Sequence, residues 1–222
     1  MSSMPALYMK LALVKGGQIS VNQTPPATKH KALRITAMNH VMIKEYIKPG
    51  SEVIDATAGN GHDSIFLLKQ IDPGGTLYAF DTQAAALENT KNRIENLILN
   101  SDTKFHLIND SHGNIHQYIK GPADAAVFNL GYLPGSDHTV TTTWNELYKA
   151  LNALTLHLIK PGGIISIISY SGHQGGKEEQ EKIFHFLEEL PANKFSVHIT
   201  KKWNAIKSSP VLILIECLKN EL

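Results

Sequence analysis

Short apolar, β-branched runs alternate with helical stretches from Glu52 onward, and the last two runs, Phe195–Thr200 and Val211–Leu218, have no helix between them. Such alternation predicts an α/β fold, a mostly parallel, doubly wound sheet with helices on both faces. The helix-free final connection predicts an antiparallel hairpin at one edge. A length of 222 residues suits one such domain.

Residues 1–31 carry Gly16-Gly17, Pro25-Pro26 and few helix signals, so they read as a basic extension ahead of a domain spanning residues 32–222. Apolar positions Leu33, Ala37, Val41, Ile43 and Ile47 predict an amphipathic helix over Leu33–Ile47, stopped by Pro49-Gly50. A strand follows at Glu52–Thr57, then the loop Ala58-Gly59-Asn60-Gly61 and a helix at His62–Gln70 that Pro73-Gly74-Gly75 ends. Thr76–Phe80 is a second strand, Gln83–Leu99 a second helix and Lys104–Ile108 a third strand. Asp124–Asn129 is the fourth strand and Trp144–Leu158 a helix. Ile164–Ser169, entered through Pro161-Gly162-Gly163, is the fifth strand, and Lys177–Leu190 is the helix before the closing pair. Seven strands ending in a hairpin outline a class I (Rossmann-like) methyltransferase domain rather than a six-stranded nicotinamide-binding one.

Composition excludes several classes. The lone Cys217 lies in an apolar run and rules out a disulfide scaffold. No apolar stretch approaches the roughly 20 residues of a membrane span, so no membrane partner is expected and the protein is read as cytoplasmic. The 11 histidines are too scattered for a metal cluster, and no metal is expected. The net charge of +1 conceals an asymmetry. Residues 1–50 hold seven Lys and Arg against Glu45 alone, and the remainder sums to −5. A basic arm for a polyanion and a merely solvated surface are both consistent with that excess.

In an open α/β sheet, ligands sit beyond the carboxyl ends of the strands at the switch point. The loop there runs Asp55-Ala56-Thr57-Ala58-Gly59-Asn60-Gly61-His62-Asp63. Its glycines permit close backbone approach, and the following helix start offers unpaired N–H groups. Asp81, at the end of the second strand, is placed to accept both ribose hydroxyls of an adenosine-type cofactor. The third glycine of a dinucleotide fingerprint is missing, since Ser64 stands there. That absence, Asp55 before the loop and the terminal hairpin favour S-adenosyl-L-methionine over NAD. After the third strand, Asp110, Ser111 and His112 stand where an adenine would lie, and helix capping is the alternative role.

Asn129 ends the fourth strand and Tyr132 follows three residues on, an arrangement similar to the Asn-Pro-Pro-Tyr signature of methyltransferases acting on exocyclic amines. Here Leu130-Gly131 replaces the prolines. An Asn carbonyl can accept an amine N–H and aim the nitrogen lone pair, while an aromatic ring holds a planar base. A purely structural turn is the competing reading. Pro134, His138, Tyr170 and His173 follow the fourth and fifth strands as candidate substrate-binding residues, and a histidine among them could take the proton an amine must lose.

Together the blocks Asp55–Asp63, Ala79–Gln83, Ser111-His112 and Ala126–Gly135 resemble the YtqB-like family of ribosomal-RNA methylases, also known as the MnmM family of tRNA 5-aminomethyl-2-thiouridine methyltransferases, over Ala32 to Leu218. The resemblance implies S-adenosyl-L-methionine held by Asn60, Gly61, Asp63, Asp81, Gln83, Ser111 and His112, with Asp55, Gly59 and His62 in the same loop. It implies tRNA as partner, with the methyl group passing to the amine of 5-aminomethyl-(2-thio)uridine at the wobble position, and Asn129 and Tyr132 facing that amine. An N-methyltransferase for rRNA or a small molecule, or a non-catalytic RNA-binding module, are the alternatives. Monomer and homodimer are both compatible with the sequence.

Overall fold

The strands β1 (Glu52–Asp55), β2 (Thr76–Phe80), β3 (Lys104–Ile108), β4 (Ala123–Asn129), β5 (Ile159–Ser169), β6 (Phe195–Lys201) and β7 (Val211–Cys217) form one sheet, ordered β3-β2-β1-β4-β5-β7-β6. This is a computed structural model that describes residues 34–131, 143–172, 175–205 and 208–218. The extension expected at residues 1–31 lies outside them. β1 to β5 run parallel, while β7 is antiparallel to both β5 and β6. The doubly wound sheet with a terminal hairpin is therefore present as expected.

Strand residues alternate between two buried faces, which is why these strands read as continuous apolar runs. Ile54, Phe80, Phe128, Ile165 and Ile213 pack on one side with Leu147 and Leu151 of α5 (Trp144–Ala153) and Ile183 of α6 (Gly176–Glu188). Val53, Leu77, Val127 and Leu214 pack on the other. They meet Ile43 of α1 (Ile35–Ile43), Leu67 of α2 (His62–Ile71) and Leu87 of α3 (Ala84–Ile94). A short α4 (Ile115–Tyr118) follows β3.

Several local expectations change: α3 ends at Ile94 rather than Leu99, and the α-helical geometry of α5 ends at Ala153 rather than Leu158. β5 begins at Ile159 rather than Ile164, because Ile159 already pairs with Ala123 before the register shifts and Ile164 pairs with Ala125. Pro161-Gly162-Gly163 is thus a bulge inside the strand: Gly162 takes φ +80°, and a Cβ on Gly163 would lie 2.8 Å from the Asp124 carbonyl oxygen. In α1, Val41 faces solvent at 69 % exposure, whereas Asn39 is completely buried beside Ile43 and Ile47. The buried stripe runs through a polar residue, which apolar periodicity does not register.

The chain winds from β1 outward to β3, then returns to β4 on the other side of β1. That reversal opens a crevice beyond the carboxyl ends of β1 and β4. Among the described residues, no helix is long and apolar enough to cross a membrane, and no group of three or more His, Cys, Asp or Glu could hold a metal ion.

Candidate active site

The loop leaving β1 is built on glycine geometry. Gly59 and Gly61 adopt φ +52° and +76°, which L side chains rarely take. A Cβ on Gly61 would stand 2.9 Å from the Thr90 Cα, so α2 and α3 can approach only with glycine here. Thr90 Oγ1 donates to the Gly59 carbonyl at 3.2 Å, and the Gly61 N–H donates to Ala58 at 2.7 Å. The loop delivers the N-terminus of α2 into the crevice, where its first N–H groups have no helical acceptor and favour an anionic group. Asn60 Oδ1 accepts from Asn89 at 3.1 Å.

Asp81 braces the loop. Its Oδ2 accepts the Gly59 N–H and its Oδ1 the Gln83 N–H, each at 2.9 Å. A carboxylate oxygen has capacity for a second donor, so a ribose diol can still be received. The capping alternative and the ligand role are thus compatible in one side chain.

His112 closes the far side. Its Nδ1 lies 3.1 Å from the Ala56 carbonyl oxygen, so Nδ1 carries the proton and Nε2 is an acceptor. That Nε2 is buried without a partner. Burial lowers the imidazole pKa to about 4, against the Ala56 carbonyl and Glu146, which raise it, so the ring is neutral. The ring stands edge-on to Phe128, centroids 5.5 Å apart. Ser111 Oγ donates to Glu146 at 2.5 Å and accepts the Gly113 N–H at 3.1 Å, which caps the turn over residues 112–114. Asp110 is occupied by Tyr118, Asn114 and the Ser111 N–H, which hold its carboxyl below the usual range.

At the crevice floor, Asp55 is fully buried and accepts from Ser64 Oγ at 2.5 Å and the Thr57 N–H at 3.2 Å. Burial, then the neighbouring Asp63 carboxylate, push its pKa up to about 7. Asp63, in the first turn of α2, spans the crevice. Its Oδ1 meets His40 Nε2 at 2.6 Å and its Oδ2 accepts Asn129 Nδ2 at 3.3 Å. The Asn129 N–H donates to Thr57 Oγ1 at 2.7 Å, which ties the tip of β4 to the β1 loop. Tyr170, just past β5, has its phenol pKa raised by burial and by the charge of Asp63, so it belongs to the same crevice. It lies against Gly131, whose Cβ would be 3.8 Å from the Tyr170 ring.

The structure therefore gathers Asp55, Gly59, Asn60, Gly61, Asp63, Asp81, Gln83, Ser111, His112, Asn129 and Tyr170 around one sheet edge. His62 is there too but exposed. Tyr132, Pro134, His138 and His173 lie outside the described residues. Sequence reasoning missed His40, Thr57 and Ser64. Thr57 lay within the loop block and Ser64 directly after it, but nothing in the spacing of α1 marks His40, because its partner is reached only through the tertiary fold.

These residues fit the S-adenosyl-L-methionine that the family resemblance implies: a neutral His112 Nε2 awaiting a donor, a glycine loop that sets the start of α2 at the crevice, and a carboxylate able to receive a diol. The sequence model of the family described as "Putative rRNA methylase" matches residues 77–216. A curated relative from Arabidopsis thaliana, "tRNA (mnm(5)s(2)U34)-methyltransferase, chloroplastic", is 33 % identical over 198 residues, covering 85 % of this chain and 70 % of the relative. A solved "putative rRNA-methylase" from Clostridium thermocellum is 38 % identical, with a TM-score of 0.78, covering 82 % of this chain and 97 % of its own. A "putative methyltransferase" from Streptococcus mutans, solved in complex with SAH, is 32 % identical, with a TM-score of 0.75, covering 85 % and 100 %.

Proposed function

The chain belongs to the family described as putative rRNA methylases, and from that premise we propose that it is an S-adenosyl-L-methionine-dependent RNA methyltransferase whose substrate is the amine of 5-aminomethyl-(2-thio)uridine at the tRNA wobble position. The Streptococcus mutans relative, solved with SAH, supports the cofactor, and the name of the Arabidopsis relative supports the substrate. The observation that carries the amine is the fixed amide of Asn129. Its Nδ2 is spent on Asp63, which leaves its Oδ1 as the acceptor for a substrate N–H.

The bound cofactor supplies an electrophilic methyl group on a sulfonium. The chain's own residues do the positioning, the main contribution a displacement of this kind needs. Asp63 and the free N–H groups of α2 meet the ammonium and carboxylate of the methionine portion. Asp81 holds the ribose, and His112 Nε2 accepts a donor from the adenine. Asn129 Oδ1 takes one amine N–H and turns the nitrogen lone pair toward the crevice that Asp63 lines. Because one carboxylate, Asp63, orients both the cofactor end and Asn129, the two reactants share a single frame.

Incubating the protein with labelled S-adenosyl-L-methionine and hypomodified bulk tRNA, then analysing nucleosides, tests this reading. Label in the methylated aminomethyl nucleoside of wild type, lost in Asn129→Ala, is expected. Label in rRNA with tRNA left blank overturns it.

A further inference from the structure

Trp203, just after β6, is 88 % exposed, twice as exposed as Tyr148 at 43 %. Exposing a large indole forfeits burial energy, and this ring contributes nothing to either core. Lys201 Nζ lies 5.3 Å from its centroid, and Lys202 is adjacent. With Gln180 of α6, Ser209 and Val211, these residues line an open cleft of about 300 Å³ whose lining includes no acidic side chain among the described residues.

The sheet fixes where this cleft opens. Val211 pairs with Lys201 on one side and with Ser169, the last residue of β5, on the other. The cleft therefore shares the rim of the crevice. The chain just past Tyr170 meets the residues before β7, since a Cβ on Gly172 would stand 2.9 Å from Ser208 Oγ, and Tyr170 itself senses the charge of Asp63.

Resting on the function proposed above, we propose that this cleft is a second subsite, which takes an unstacked nucleotide of single-stranded RNA neighbouring the nucleotide presented to Asn129. The exposed indole offers a stacking face that any base can use, with Lys201 over the ring. The lysines supply cations for the adjoining phosphates. The volume is at the low end for small-ligand clefts, which suits one nucleotide and not a duplex.

The chain has 2 Trp, so Trp144→Phe leaves Trp203 as the sole indole reporter in the full-length protein. Titrating hypomodified bulk tRNA into this variant should quench its emission saturably, and a short single-stranded oligoribonucleotide, but not an RNA duplex, should compete. In the otherwise native chain, Trp203→Ala should weaken tRNA binding roughly 5- to 150-fold, the range expected when one base stack is removed. Trp203→Phe should restore most of it, and SAH affinity should be unchanged in both. Replacing Lys201 and Lys202 by Ala should flatten the salt dependence by about 0.7 for each phosphate no longer neutralised. If tRNA is bound and methylated while Trp203 emission stays constant and Trp203→Ala binds as tightly as wild type, the subsite is wrong and the function stands. If wild type neither binds nor methylates tRNA, both fall.

Discussion

His40 places its Nε2 2.6 Å from Asp63 Oδ1 while its ring lies flat on Phe66, centroids 3.9 Å apart and 4° from parallel. The imidazole is thus held at two points, and Asp63 inherits that order. Since Asp63 also holds Asn129, a residue on the first helix sets the geometry at the tip of β4.

His40→Ala should therefore lower kcat by up to about 10-fold, the effect of a reacting group less firmly placed. His40→Gln, whose Nε2 reaches a similar point, should recover much of the loss. Steady-state rates with hypomodified tRNA check this, and equal defects in Ala and Gln would mean that His40 acts only through packing on Phe66.

Asp63→Asn should cost more, about 10- to 100-fold in kcat/KM. His40 and Asn129 sit on different oxygens of Asp63, and a carboxamide keeps only one of the two as an acceptor, so it cannot accept at both places. Calorimetry with SAH should show weakened cofactor binding as well. Asn129→Ala should leave SAH affinity near wild type and reduce kcat, which separates the reaction side of the crevice from the cofactor side.

Gly61→Ala should destabilise the protein by about 1–3 kcal/mol from backbone strain, with more from the approach to the Thr90 backbone. The urea midpoint measures the cost. SAH binding should be lost even where the variant remains folded, because the start of α2 must shift.

Asp55 and His112 oppose each other as pH changes. The Asp55 pKa is raised from 3.8 to about 7, so its contribution to stability is full below 3.8 and is lost as pH rises through about 7. The His112 pKa is lowered from 6.5 to about 4, so its contribution is present above 6.5 and is lost as pH falls through about 4. Urea titrations between those limits should show Asp55→Asn losing more stability on acidification than wild type, and His112→Asn losing less. Parallel curves for all three proteins would refute the assignment.

The sheet and the loop after β1 were legible because their signals are local: β-branched runs buried on both faces, and glycines at a turn that demands positive φ. Asp81 was legible from its place at the end of β2. His40 was not, since its function comes from Asp63, and the inward turn of Asn39 ran against the apolar pattern of its own helix. The Pro161-Gly162-Gly163 bulge was hidden for another reason. The same residues make a turn in one setting and a displaced register in another, and only the partner strand decides.

The hairpin at the sheet edge has a consequence for how the protein can diversify. With β7 inserted antiparallel between β5 and β6, the connection from Lys201 to Val211 reaches the working rim without a crossover helix to pack. Its length and side chains can be rewritten at little expense to either hydrophobic layer. On the subsite proposed above, preference among RNAs is separable from the methyl-donor machinery, and exchanging this one segment between relatives is a route to new specificity on an unaltered chassis.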